Sequence, residues 1–229
     1  MKKMSREQKR ELTARLLPAA VTFGFNCLVY VGTKFLISPE RFIFLDMKID
    51  RLIPFVPAFV IIYYLSFAQW ANYYLQISFG PREKRDRYFS ADLLAKVICM
   101  AIFLIWPVAM KWPELPEDGS IFTRILSLTY GVDSPARAFP SLHCFYSWFA
   151  YRYSREAEPE ERRWLVWLQL AFSLAVFATT VLIKQHYFID VIGGIAVGEL
   201  ALFIADAAGL PQRFGQAMDR MTSVLKKRG

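Results

Sequence analysis

The chain holds 229 residues, 55% of them hydrophobic, with 28 Lys and Arg against 20 Asp and Glu for a net charge of +8. So apolar a composition excludes disorder and collagen, and three widely spaced cysteines in apolar runs (Cys27, Cys99, Cys144) exclude a disulfide scaffold. The basic residues gather in short segments between long apolar runs, which is a membrane-topology pattern and excludes a nucleic-acid surface.

Residues 1–15 form a basic segment ahead of the first apolar run, 16–37, which has spanning length and no small-residue cleavage pattern behind a short core. Further runs of spanning length cover 53–79 and 91–112. Pro54 and Pro57 are expected in the first turns of the second span, where proline is tolerated. Pro113, Pro116 and Gly119 punctuate an acidic turn, after which 121–130 is expected to lie in the membrane interface as a lid. A fourth run, 141–153, reaches only about 20 Å as a helix, against a hydrocarbon core of about 30 Å. Runs 164–183 and 187–208 complete the set, and Gly193, Gly194, Ala196 and Gly198 give the last a small-residue face for close approach to the fourth span. In the tail, 209–229, residues Leu210, Phe214, Met218, Met221 and Leu225 recur every three or four positions. They predict a basic amphipathic helix on the inner leaflet, with a frayed solvated tail as the alternative.

These elements predict an all-α polytopic membrane protein of one domain, with six transmembrane helices in a bundle spanning 16–208. Counting basic residues at the two ends of the spans gives 19 against 8, with Lys96 inside the third. That bias places both termini in the cytoplasm.

The two histidines of the chain, His143 and His186, then fall at the outer ends of spans four and six. Asp190 follows His186 by four residues, a spacing that on one helix face lets a carboxylate orient an imidazole. A carboxylate facing lipid is costly, so Asp190 is expected inside the bundle, paired with His186. One ring nitrogen of His186 then serves as a nucleophile and His143 as acid or base. Pro140 and Ser141 open the fourth span, whose first-turn N–H groups and Ser141 hydroxyl make an anion site. Lys184, Arg137 and Arg124 supply cations on the same side. The set suits phosphoryl transfer through a phosphohistidine, with no metal and no cofactor. Against it stand plainer readings: interfacial histidines, Asp190 as a helix cap, and Lys184 and Arg137 as surface charges.

At these residues the chain resembles the type 2 phosphatidic acid phosphatase superfamily. The run Ala138-Phe139-Pro140-Ser141-Leu142-His143 is similar to its Pro-Ser-x-His signature, and His186-Tyr187-Phe188-Ile189-Asp190 to its His-x-x-x-Asp signature. The resemblance implies His186 as nucleophile, His143 as acid/base, Asp190 as orienter and Ser141 as phosphate ligand. Departures accompany it. A Lys followed after six residues by Arg-Pro is missing, since Asp118 stands seven after Lys111, and Thr179-Thr180 occupy the place of Ser-Arg. Lys184, Arg137 and Arg124 are the expected substitutes. The run from Lys184 to Val191 is similar to the branch holding inositol phosphorylceramide and sphingomyelin synthases.

The expected activity is phosphatase action on a lipid phosphate at the extracytoplasmic leaflet of the cell membrane. Head-group transfer to a lipid alcohol is one alternative, and a non-catalytic transporter or scaffold another. Lipid phosphate and membrane lipids are the expected partners, and nucleic acid is not.

Overall fold

A computed structural model describes residues 4–228, with side chains to 225. Lys2 and Lys3, and the side chains of Lys226, Lys227 and Arg228, which entered the charge count, lie outside the described residues. The described residues form helices, short 3-10 turns and two isolated bridges, with no strand.

Helix α1 (Arg6–Leu36) begins ten residues ahead of the expected span. Ser5 caps it through a capping box with Gln8, and strong helix formers among Arg6 to Leu12 carry the helix beyond the apolar run. After the short α2 (Lys48–Leu52), the second span starts later than expected, as α3 (Val60–Phe79). Pro54 and Pro57 precede this helix instead of lying inside it. Each forces the residue before it into extended backbone, Ile53 at ψ 121° and Val56 at ψ 90°, and Pro57 opens a 3-10 turn. Gly80 and Pro81 alone separate α3 from α4 (Arg82–Ile105), so the basic Arg82, Lys84, Arg85 and Arg87 form its first turns. The third span stops at Ile105 and not at 112. Pro107 removes a helical donor and leaves Trp106 extended at φ −131°, and Val108 to Met110 then pair with Ile43, Pro135 and Ala138.

The expected lid is helix α5 (Ile121–Val132), capped by Ser120. Helix α6 (Leu142–Ala157) is capped by Ser141 and runs four residues past 153, which brings it to about 24 Å. Helices α7 (Arg163–Leu182), α8 (Phe188–Ala207) and α9 (Leu210–Arg228) follow. Among the described residues, four helices are long and apolar enough to cross a membrane: α1, α4, α7 with its preceding turn, and α8. The other two of the six expected spans are helical but differ in kind. Tyr, Gln and Asn lower the hydropathy of α3, and α6 has 16 residues.

The core draws on α1, α3, α4, α6, α8 and α9, around Tyr73, Tyr88, Phe89, Phe145 and Phe149. The glycine face of α8 meets α6 and the segment before it, as its composition predicts. A Cβ at Gly193 would stand 2.4 Å from the Phe139 ring, and one at Gly194 2.4 Å from the Ser141 carbonyl oxygen. The amphipathic α9 turns Phe214, Met218 and Thr222 onto the bundle and leaves Met221, Val224 and Leu225 exposed. At the same end, Arg87 of α4 binds Glu156 of α6 and Asp206 of α8, each at 2.7 Å. This clamp fixes three helices at the end opposite the histidines.

Candidate active site

The α7–α8 corner is built to present His186. Lys184 takes left-handed backbone (φ 53°), reversing the chain, and the Gln185 and His186 N–H groups both donate to the Thr180 carbonyl at 2.9 and 3.1 Å. The expected one-face helical pair is corrected here, because His186 lies two residues ahead of α8. Asp190 still reaches it by folding back over the helix start. Its Oδ2 accepts the Tyr187 N–H at 2.8 Å and lies 3.3 Å from His186 Nδ1, so the carboxylate caps the helix and orients the ring together. A nearer acceptor is the Ala138 carbonyl, 2.8 Å from Nδ1. With two acceptors facing Nδ1, the hydrogen-bond network assigns the proton there and leaves the lone pair on Nε2.

His143 stands in the first turn of α6, with its Nδ1 3.1 Å from Ser66 Oγ on α3. Ser66 spends its own proton on the Tyr63 carbonyl at 2.6 Å, so Nδ1 of His143 donates to Ser66 and Nε2 is again the free nitrogen. Tyr63 and Trp70 hold the ring from either side, at centroid distances of 4.2 and 4.6 Å. The two imidazoles are 6.2 Å apart with planes inclined at 61°. Reacting atoms in a productive complex approach to about 3 Å, so a phosphorus with one ring on each side fits this gap.

Ser141 is fully buried between the two histidines' elements. Its N–H donates to the Asp190 carbonyl at 3.0 Å and its Oγ accepts the Cys144 N–H at 3.3 Å. The α6 N-terminus is thereby fixed against α8, while the N–H groups of Leu142 and His143 keep no intrahelical partner.

Both histidines line the head of a cavity of about 950 Å³. It is walled by α1 and α3 and follows α1 from Tyr30 down to Leu16, a rise of about 21 Å. Of the proposed cations the structure brings Arg137 to it. Arg137 has left-handed backbone (φ 66°), is 5% exposed, and donates through Nη1 to the Tyr30 carbonyl at 2.8 Å. Its guanidinium sits 4.1 Å over the Tyr30 ring, the Tyr30 hydroxyl donates to Asp133, and Nε has no partner. Lys184 is placed elsewhere: its ammonium donates to the Asp50 and Ile53 carbonyls at 2.9 and 2.6 Å, outside the cavity. Burial lowers its pKa from the usual value, with Asp50 and Asp46 opposing. Arg124 lies on the exposed face of α5, also outside the cavity.

Sequence reasoning missed two groups. Gln185, next to His186, lines the cavity with its Nε2 donor buried and unpartnered. Ser66 holds His143, and nothing in a mostly apolar span marks it out. Thr179 and Thr180, where the resemblance leads one to expect Ser-Arg, donate their hydroxyls to the Phe59 and Phe177 carbonyls at 2.6 and 2.9 Å. Among the described residues, no group of three or more His, Cys, Asp or Glu side chains is placed to hold a metal ion.

No curated protein and no solved structure matches the chain. The family model described as PAP2 superfamily does, over residues 54–204, which takes in α3, both histidines, Asp190 and most of α8. Both expected signatures fall inside that match and meet in space at the head of one cavity, and the chain belongs to the PAP2 superfamily.

Proposed function

We propose that the protein removes the phosphate of a lipid phosphate through a covalent intermediate on His186. The observation that carries this is the pair of imidazoles 6.2 Å apart at the head of a long, largely apolar cavity. His186 Nε2 attacks phosphorus while the Ala138 carbonyl and Asp190 hold Nδ1–H and stabilise the positive charge that develops on the ring. Arg137, the Gln185 amide and the Leu142 and His143 N–H groups take the phosphoryl oxygens, and Ser141, buried outside the cavity lining, fixes that helix start. A lipid phosphate entering as the monoanion gives its proton to His143 Nε2, and His143, with Nδ1–H held by Ser66, passes that proton to the leaving oxygen as the P–O bond breaks. It then removes a proton from water, whose oxygen attacks phosphorus as the N–P bond breaks, and the departing phosphate carries that proton away, restoring both rings.

In this reading α3 and α6 complete six spans, both termini are cytoplasmic, and the histidines face the extracytoplasmic leaflet of the cell membrane. The Arg87 clamp at the far end agrees with that polarity. Transfer to a lipid alcohol is the second reading, favoured by apolar cavity walls that admit an alcohol with tails as readily as the substrate.

The test is phosphate release from a panel of lipid phosphates by the purified chain. His186→Ala and His143→Ala are each expected to lose about 1,000-fold or more. Full activity in either variant overturns the proposal. A new phospholipid formed on adding a lipid alcohol selects transfer. If vanadate gives no thermal stabilisation and no lipid is turned over, the fold serves as a transporter or scaffold.

A further inference from the structure

Below the histidines the cavity has a second polar level that the phosphoryl chemistry does not use. Lys96 and Asp92 of α4 are 0% and 1% exposed and pair at 2.7 Å in the middle of the bundle. The Lys96 ammonium sits 4.0 and 4.1 Å from the Phe145 and Tyr146 ring centroids. A buried ion pair inside a membrane bundle is costly and marks function more often than stability. Asp92 is linked to the cavity wall, since Tyr74 donates its hydroxyl to Asp92 Oδ2 at 2.5 Å and lies 3.2 Å from the Tyr146 hydroxyl. Tyr74 and Tyr146 both line the cavity.

The direction of this chain is fixed by proton counting. A phenol has one proton, and that of Tyr74 is committed to a carboxylate, so Tyr146 donates to Tyr74. The Tyr146 oxygen is then left as an acceptor. Two side chains that line the cavity each also carry a buried polar atom with no partner among the described residues: Trp70 Nε1, a donor, and Asn26 Oδ1, an acceptor. Trp70 packs 4.6 Å from the His143 ring and 4.7 Å from Tyr146, so this level adjoins the phosphate site. Tyr146 follows His143 by three residues, about 4.5 Å along α6, or roughly four bonds of a lipid backbone.

Resting on the functional reading above, we propose that Tyr146, Trp70 and Asn26 form a specificity site for a hydrogen-bond donor on the lipid backbone, a hydroxyl or secondary amide about four bonds from phosphorus. Such a group gives its proton to Tyr146 or Asn26 and accepts from Trp70. A lipid phosphate with only hydrocarbon there buries these groups without partners, and sites built around a substrate hydroxyl reject the analogue lacking it.

The probes are 1-oleoyl-glycerol 3-phosphate, with a free 2-hydroxyl, and its 2-O-methyl ether. Equilibrium binding of each is measured in the full-length His186→Ala chain in nanodiscs, which binds without turnover. The hydroxyl lipid is expected to bind about tenfold tighter. Adding Tyr146→Phe should reduce that preference below threefold, and Trp70→Phe serves as a second variant should the first not fold. Binding of the two lipids within twofold of each other overturns the inference, as does a tenfold preference that survives in every folded variant, or binding of neither lipid. Failure of the functional reading is a separate result: no phosphate released from either lipid by the unsubstituted chain.

Discussion

Gly194→Ala tests whether the site depends on close approach of α8 to the start of α6. An added Cβ would stand 2.4 Å from the Ser141 carbonyl oxygen, and 3.1 Å from both Cys144 Cβ and Phe145 N. Two of these three atoms are backbone, so no side-chain rotation relieves the clash. Ordinary contact begins near 3.4 Å, and the difference from 2.4 Å requires α8 to retreat by about 1 Å. Asp190 and the His186 corner retreat with it, while His143 stays on α6. A misplacement of about 1 Å costs on the order of 100-fold in rate, and overpacking of this kind costs about 1–3 kcal/mol of stability. The assay is kcat/KM for phosphate release beside the thermal midpoint of the purified protein. Gly24→Ala and Gly32→Ala are controls. Neither glycine has a neighbour within 4 Å of a new Cβ, so each gains helix propensity of about 1 kcal/mol and keeps its activity. Activity within twofold of normal in Gly194→Ala would refute the argument that this contact sets the histidine spacing.

Three further outcomes follow from the same geometry. Arg137→Ala should raise KM for a lipid phosphate at least tenfold, and Arg137→Lys should not restore it, because an ammonium cannot both stack on Tyr30 and hold its carbonyl; steady-state kinetics of the three proteins decide this. Lys184→Ala should lower the thermal midpoint, through loss of two hydrogen bonds worth about 1 kcal/mol each, with a smaller effect on KM than Arg137→Ala. Asp92→Asn strands the buried Lys96 charge and should cost about 3–5 kcal/mol, whereas the double replacement Asp92→Asn with Lys96→Met should recover much of it, read by denaturant unfolding in detergent.

Much of this architecture was legible because hydrophobic run length is a direct readout of membrane burial. Pro140-Ser141 marked a capped helix start, and two histidines on one charge-defined side did meet. Helix ends were less legible, since α1 and α4 run past their apolar cores on capping and on charged residues that are good helix formers. Lys184 and Arg124 were read as phosphate cations because charge and side were visible while direction was not. The Lys184 backbone turns left-handed and sends its ammonium to the Asp50 and Ile53 carbonyls. Asp190 was offered two roles, cap or orienter, and one folded-back carboxylate fills both. The contribution of α3 was hidden, as Tyr63, Ser66 and Trp70 read as an ordinary helical face until α6 packs His143 against it.

The central claim is that His186 Nε2 forms a bond to phosphorus. It is tested most directly by incubating the His143→Ala chain, which lacks the base for the second step, with p-nitrophenyl phosphate labelled at phosphorus, whose leaving group departs without the acid that His143 supplies in the first step, and mapping the protein-bound label by mass spectrometry. An acid-labile phosphoryl group on the peptide carrying His186, absent when His186 is also replaced, is the predicted result. Label on any other residue, or turnover by the His186→Ala chain with no protein-bound phosphate, would contradict it.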